Sequence, residues 1–125
     1  MFNSARQAYE QGAKTAVTNR QLEAAALFKC ARMLEDCQKA WDEPGRAASL
    51  DVALRRNMRL WTVFQAELSR PEHEMPVEMR VNLLRLSRFV DKRTFELMAD
   101  PRPEKLQALI EINRNIGAGL STNTP

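Results

Sequence analysis

The sequence predicts an all-α protein, a single-domain bundle of about five helices with short connectors. Three observations carry this expectation. Glycine is scarce, at 4, while Ala, Leu, Arg, Glu and Met, all good helix formers, dominate. Leu50, Leu54, Asn57, Trp61, Phe64 and Leu68 recur at spacings of four, three, four, three and four, which stacks them on one helical face. Proline and glycine also punctuate the periodic stretches, at Asp42-Glu43-Pro44-Gly45, at Pro71 and Pro76, and at Pro101 and Pro103. The 125 residues suffice for one domain with a real core, and an apolar fraction of 44% excludes a disordered chain.

The first helix is expected from Ser4, a candidate N-cap, to Val17. Its apolar positions, Ala5, Ala8, Tyr9, Ala13 and Ala16, are mostly small, so weak docking is expected. Thr18-Asn19-Arg20 reads as a break. A second helix from Arg20 to Trp41 presents Leu27, Cys30, Leu34, Cys37 and Trp41, widened by Leu22, Ala26, Met33 and Ala40. So broad a stripe suits contact with two neighbours. The third helix, Arg46 to Leu68, carries the stripe described above, with an amide, Asn57, in its middle. Pro71 and Pro76 bracket a polar connector, and Pro76 suits a first helical turn.

The fourth helix, Pro76 to Ala99, has Met79, Leu83, Leu86, Val90 and Leu97 as its core face. Glu96 follows Lys92 by four, the spacing of an ion pair. Val77, Leu84 and Phe95 form a flanking stripe, with Phe89 on the other flank. Asp100 is the expected N-cap of a fifth helix that buries Leu106, Leu109, Ile110, Asn113 and Ile116 and stops at Gly117-Ala118-Gly119. Residues 1–120 are thus expected to form one helical domain and residues 121–125 a disordered tail.

Chemistry is sparse. His73, the only histidine, stands in the connector, where a surface position is expected, and His73-Glu74 lacks the second histidine of a zinc hydrolase. No glycine-rich phosphate loop or nucleophile motif is present, so neither an enzyme nor a cofactor is expected. Cys30 and Cys37 are seven apart, roughly 10 Å along one helix, too far for a disulfide. They read as reduced buried thiols, with no metal set around them. No apolar window approaches a membrane span, and Met1-Phe2-Asn3-Ser4-Ala5-Arg6 lacks a signal peptide's apolar core, so a cytoplasmic protein is expected.

Net charge is +3. Arginines cluster at Arg55, Arg56 and Arg59 and at Arg80, Arg85 and Arg88, which could neutralise phosphates. Glu67, Glu78, Asp91 and Glu96 offset them, and a solvated outer face is the better reading, so direct nucleic-acid binding is not expected. Protein binding fits the leftover apolar residues: Val77, Leu84, Phe89 and Phe95, with Leu60, are the candidate partner surface. Asn57 and Asn113 are expected to face inward and bond to backbone or to a neighbouring helix, fixing register, with Trp61 a core anchor.

These segments resemble the FlaF family of alphaproteobacterial flagellar regulators. The likeness rests on Ala8-Tyr9, on Leu54, Asn57, Leu60 and Trp61, and on Pro71 and Pro76. It continues through Leu83, Leu86, Phe89-Val90 and Thr94, and ends with Leu109-Ile110-Glu111-Ile112-Asn113 and Gly119-Leu120. The resemblance implies a flagellar biogenesis protein that binds unpolymerised flagellin and promotes its production and export, needs no cofactor, and acts opposite to FlbT. The alternative is a post-transcriptional regulator acting on flagellin mRNA, directly or through FlbT. A monomer or small homo-oligomer suits either role.

Overall fold

The computed structural model describes the backbone of residues 2–122 and the side chains of residues 19–122. Four α-helices follow in order: α1 (Phe2–Lys39), α2 (Arg46–Leu68), α3 (Val77–Ala99) and α4 (Leu106–Thr122), with one 3-10 turn, Pro103–Lys105, before α4. The count is four rather than about five because the expected first two helices are one. Nothing at Thr18-Asn19-Arg20 forces a break: these residues cost a helix only tenths of a kcal/mol each, unlike proline. The helix opens at Phe2, ahead of Ser4. The Ser4 cap and the docking of Ala5, Ala8, Tyr9, Ala13 and Ala16 lie outside the described side chains.

The helix α1 packs most extensively on α4 and next on α2, which carries α3; the α3–α4 seam is the thinnest. Gln38 meets Gln107 and Arg114 meets Glu35, so α1 and α4 run antiparallel. Arg56 meets Met33 and Glu67 meets Glu23, so α1 and α2 do too. The broad stripe of α1 thus serves two neighbours. Leu27, Ala31 and Leu34 are fully buried there, beside Cys30 and Cys37. Leu22 was expected to widen this stripe, but it is 63% exposed. Helical phase says which way a side chain points, not where the neighbouring helices end.

Gly45 precedes α2 in the left-handed conformation, φ 84°, where a side chain would be strained. All six stripe residues of α2 are buried, with Ala53 beside them. Along α3 the buried positions are Ser87, Val90, Thr94 and Leu97. The Ser87 and Thr94 hydroxyls donate to their own helix, at Leu84 O and Val90 O (both 2.7 Å), so they enter the core satisfied. Met79, expected in the core, is 46% exposed, because α3 begins burying its face only from Leu83 on. Met75, from the connector, packs against the core instead.

Asp100 does not cap the last helix. It ends α3, where its N–H donates to Glu96 O (2.8 Å), and its carboxylate takes Arg102 and Lys105. Arg102 is extended, as a residue before proline tends to be, and Pro103 opens the turn that leads into α4. Glu96 pairs with Arg93 (3.2 Å) rather than with Lys92, since Arg93 is also anchored on Lys105 O.

The helix α4 passes through Gly117-Ala118-Gly119, the expected stop, and ends at Thr122. Gly117 serves a close approach: a Cβ there would lie 3.0 Å from the Phe28 ring of α1. Ser121 and Thr122, expected in a loose tail, form the last turn, their hydroxyls donating to Gly117 O and Ala118 O (both 3.0 Å). Residues 123–125 lie outside the described residues.

Both cysteines are free and buried, and burial pushes both thiols up. At Cys30 the Arg56 and Lys29 charges oppose that rise; at Cys37 the Asp36 carboxylate adds to it. No helix among the described residues is long and apolar enough to cross a membrane.

Candidate partner-binding cleft

The site starts from a polar chain inside the core. Trp61 Nε1–H donates to Asn113 Oδ1 (2.9 Å), and Asn113 Nδ2 donates to Asn57 Oδ1 (2.7 Å). Both amides are 0% exposed. Because indole can only donate, it fixes which way the Asn113 amide faces, and that amide in turn fixes Asn57. Asn57 Nδ2 has no hydrogen-bond partner among the described residues. The chain ties α2 to α4 in one register and pins Trp61, whose ring stands edge-on to Phe64 with centroids 5.6 Å apart.

Beyond that pinned pair opens a cleft of about 340 Å³. Trp61, Phe64 and Leu68 of α2 form its floor with Met75, Leu83 of α3, and Ile116 and Leu120 of α4. Charged and polar groups rim it: Asn19, Arg20 and Glu23 on α1, Glu67 at the end of α2, and Arg70, Glu72, His73 and Glu74 in the connector. The connector is held in place. Arg80 donates to Arg70 O (2.9 Å), and the Met75 N–H donates to His73 Nδ1 (3.1 Å). His73 is therefore half-buried, not the plain surface residue expected.

Glu23 and Glu67 share a hydrogen bond across the α1–α2 seam at this rim. Half-burial, then the bond and charge of Glu67, push Glu23 up to about 7, against the pull of Arg20. Near neutrality the pair holds a proton that two separate carboxylates would have lost.

The sign of the resulting pH effect follows from linkage. Between the ordinary carboxyl range and about pH 7 the folded protein binds more protons at Glu23 than the unfolded chain does, so this group lowers stability as pH rises through that window. Glu23→Gln is expected to raise the melting temperature at pH 8 and to do less at pH 5, read by thermal unfolding. An equal shift at both pH values would contradict the shared proton. Glu35 and Asp100 act the other way. Arg114 holds Glu35, and Lys105 holds Asp100, below the usual carboxylate range, so their small contributions are lost as pH falls through those lowered values.

The partner residues expected from sequence stand elsewhere. Val77 and Phe95 are 63% and 61% exposed on α3, and Phe89 carries the Arg93 guanidinium over its ring. Leu84 and Leu60 are half-buried against the core. None of the five lines the cleft. The cleft itself was missed because Trp61, Phe64, Leu68 and Ile116 read as ordinary stripe members. The available signals were Met75 in a polar connector and Leu120 beyond the glycines, apolar residues with no helix assigned to bury them. Among the described residues no three or more His, Cys, Asp or Glu side chains come together in a way that could hold a metal ion.

The arrangement is an apolar floor beside a charged rim, open to solvent. A family model described as "Flagellar protein FlaF" matches residues 5–120. The chain belongs to the FlaF family. Every helix falls within the FlaF match except the ends of α1 and α4, so cleft and amide chain both lie inside it. Comparison with curated proteins and with solved structures gives no match. FlaF membership makes this a flagellar protein.

Proposed function

We propose that this protein binds unpolymerised flagellin in the cytoplasm and promotes its production and export, with the cleft as the seat of an amphipathic flagellin helix. The observation that carries this reading is the cleft, with an apolar floor drawn from α2, α3, α4 and the connector and a charged rim on one side. Its volume is near the lower end of the roughly 300–1,000 Å³ range of ligand pockets. That admits a few side chains, so a partner helix would lie across the mouth and insert its anchors, the usual mode of helix-in-groove recognition. Holding and releasing a segment needs no covalent chemistry and no cofactor. The outer face of α3, with Val77, Leu84, Phe89 and Phe95, together with Leu60 of α2, is the alternative seat for the same partner.

A second reading is favoured by the arginines of α2 and α3 and the net charge of +3: a post-transcriptional regulator of flagellin mRNA, acting directly or through FlbT. Internal pairs consume part of that charge, since Arg55 is bonded to Asp51 and Arg93 to Glu96. Gel filtration separates the readings. The proposed function predicts a stoichiometric complex with monomeric flagellin that survives nuclease. The RNA reading predicts no such complex and a shifted mRNA leader whose affinity falls steeply with salt.

A further inference from the structure

With the cleft as the partner's seat, we infer that it selects amphipathic segments carrying a lysine or arginine among their apolar anchors, the cation seated between Glu23 and Glu67. This rests on the proposed function for its location and adds the chemistry of the occupant.

Charge complementarity points to such an occupant. The chain as a whole is basic, at +3, yet its cleft is rimmed by four carboxyl groups against two guanidinium groups. Two of the carboxyls, Glu23 and Glu67, face each other across the seam between α1 and α2 and hydrogen-bond directly. Adjacent carboxyls are compatible with each other only if a proton or another cation lies between them. In the empty cleft a proton serves. A lysine ammonium or arginine guanidinium, donating to both carboxylates, would serve better.

The other charged groups do not remove the need. Arg20, one turn away on α1, draws Glu23 toward its ionised form without displacing the proton. The connector lines the same cleft with Glu72 and Glu74 against Arg70, beside His73. The helices α3 and α4 contribute only apolar side chains there. An entering cation would therefore find the pair unchallenged from that side, beside the floor that takes its apolar neighbours. On entry the shared proton leaves to solvent, so binding is coupled to proton release and weakens as pH falls below about 7.

The test uses the full chain and two synthetic amphipathic helical peptides, identical except for a lysine or a norleucine at the centre of the apolar stripe. Calorimetry at about pH 6.5, in phosphate and in imidazole, reads affinity and proton exchange together. The lysine peptide is expected to bind at least about tenfold more tightly, to release a fraction of a proton, and to lose both properties with Glu67→Gln. Circular dichroism shows whether that variant keeps its fold, and Glu23→Gln is a second variant with the same expectation. Equal binding of the two peptides, no proton release, or release unchanged in both variants would overturn the inference. So would failure of the lysine peptide to bind. Gel filtration with flagellin decides the proposed function separately.

Discussion

Asn113→Ala is expected to lower the unfolding free energy by about 3–5 kcal/mol, the largest effect of any polar substitution in this protein. The side chain is 0% exposed and is the middle link between Trp61 and Asn57. Its removal strands a buried indole N–H and the Asn57 carbonyl oxygen, each costing about 1–3 kcal/mol, and leaves a small void. Asn57→Ala should cost less. It strands the Asn113 amide but also deletes Asn57 Nδ2, which has no partner already. The two amides should therefore be coupled by about 1–3 kcal/mol in a double-mutant cycle, as direct partners usually are. Urea unfolding followed by circular dichroism measures all four corners. A loss below about 1 kcal/mol for Asn113→Ala would mean that the amide chain does not hold α2 to α4.

Leu27→Ala is expected to cost about 3–5 kcal/mol, and Leu22→Ala less than about 0.5 kcal/mol. Both leucines belong to the apolar stripe that sequence assigns to this helix. Leu27 is 0% exposed, on the α1 face that packs against α4 and α2, and deleting its branch leaves a cavity that close-packed neighbours cannot fill. Leu22 is 63% exposed, so its truncation removes little buried area. The comparison isolates burial from composition, because the substitution is chemically the same. Equal costs in the same urea titrations would contradict the placement of α1 against its neighbours.

How much of this was legible in the sequence differs from helix to helix. The α2 face could be read residue by residue, because the strict alternation of fours and threes leaves one helical phase and Pro44-Gly45 marks its start. The inward amides were readable for the same reason: a polar residue inside such a stripe has to be buried, and a buried amide has to find a partner. That the partner of Asn113 would be Asn57 itself was not readable, since pairing depends on the register between α2 and α4. Termini were least legible. Gly117 resembles a helix stop by type, yet it is there to let the Phe28 ring approach α4. Thr18-Asn19-Arg20 resembles a break by propensity, yet α1 runs through it. The cleft was hidden because it is assembled from α1, α2, the connector, α3 and α4 together, and no local period reports such a site. Its carboxyl pair, Glu23 and Glu67, lies far apart in the chain and reads as two ordinary surface charges.

The family assignment and the fold leave the partner's seat as the point on which the functional account turns. Flagellin co-purification with two classes of variant tests it most directly. Leu120→Asp and Met75→Asp place a charge on the cleft floor, whereas Phe95→Asp places one on the outer face of α3, where the ring is 61% exposed. Leu84, like Met75 and Leu120, packs against the core, so the exposed Phe95 is the probe of the outer face and each cleft variant needs its fold checked. With helicity checked by circular dichroism, the cleft variants should lose the flagellin complex and Phe95→Asp should keep it. Loss of the complex with Phe95→Asp alone, with both cleft variants still binding, would contradict the account and move the seat to α3.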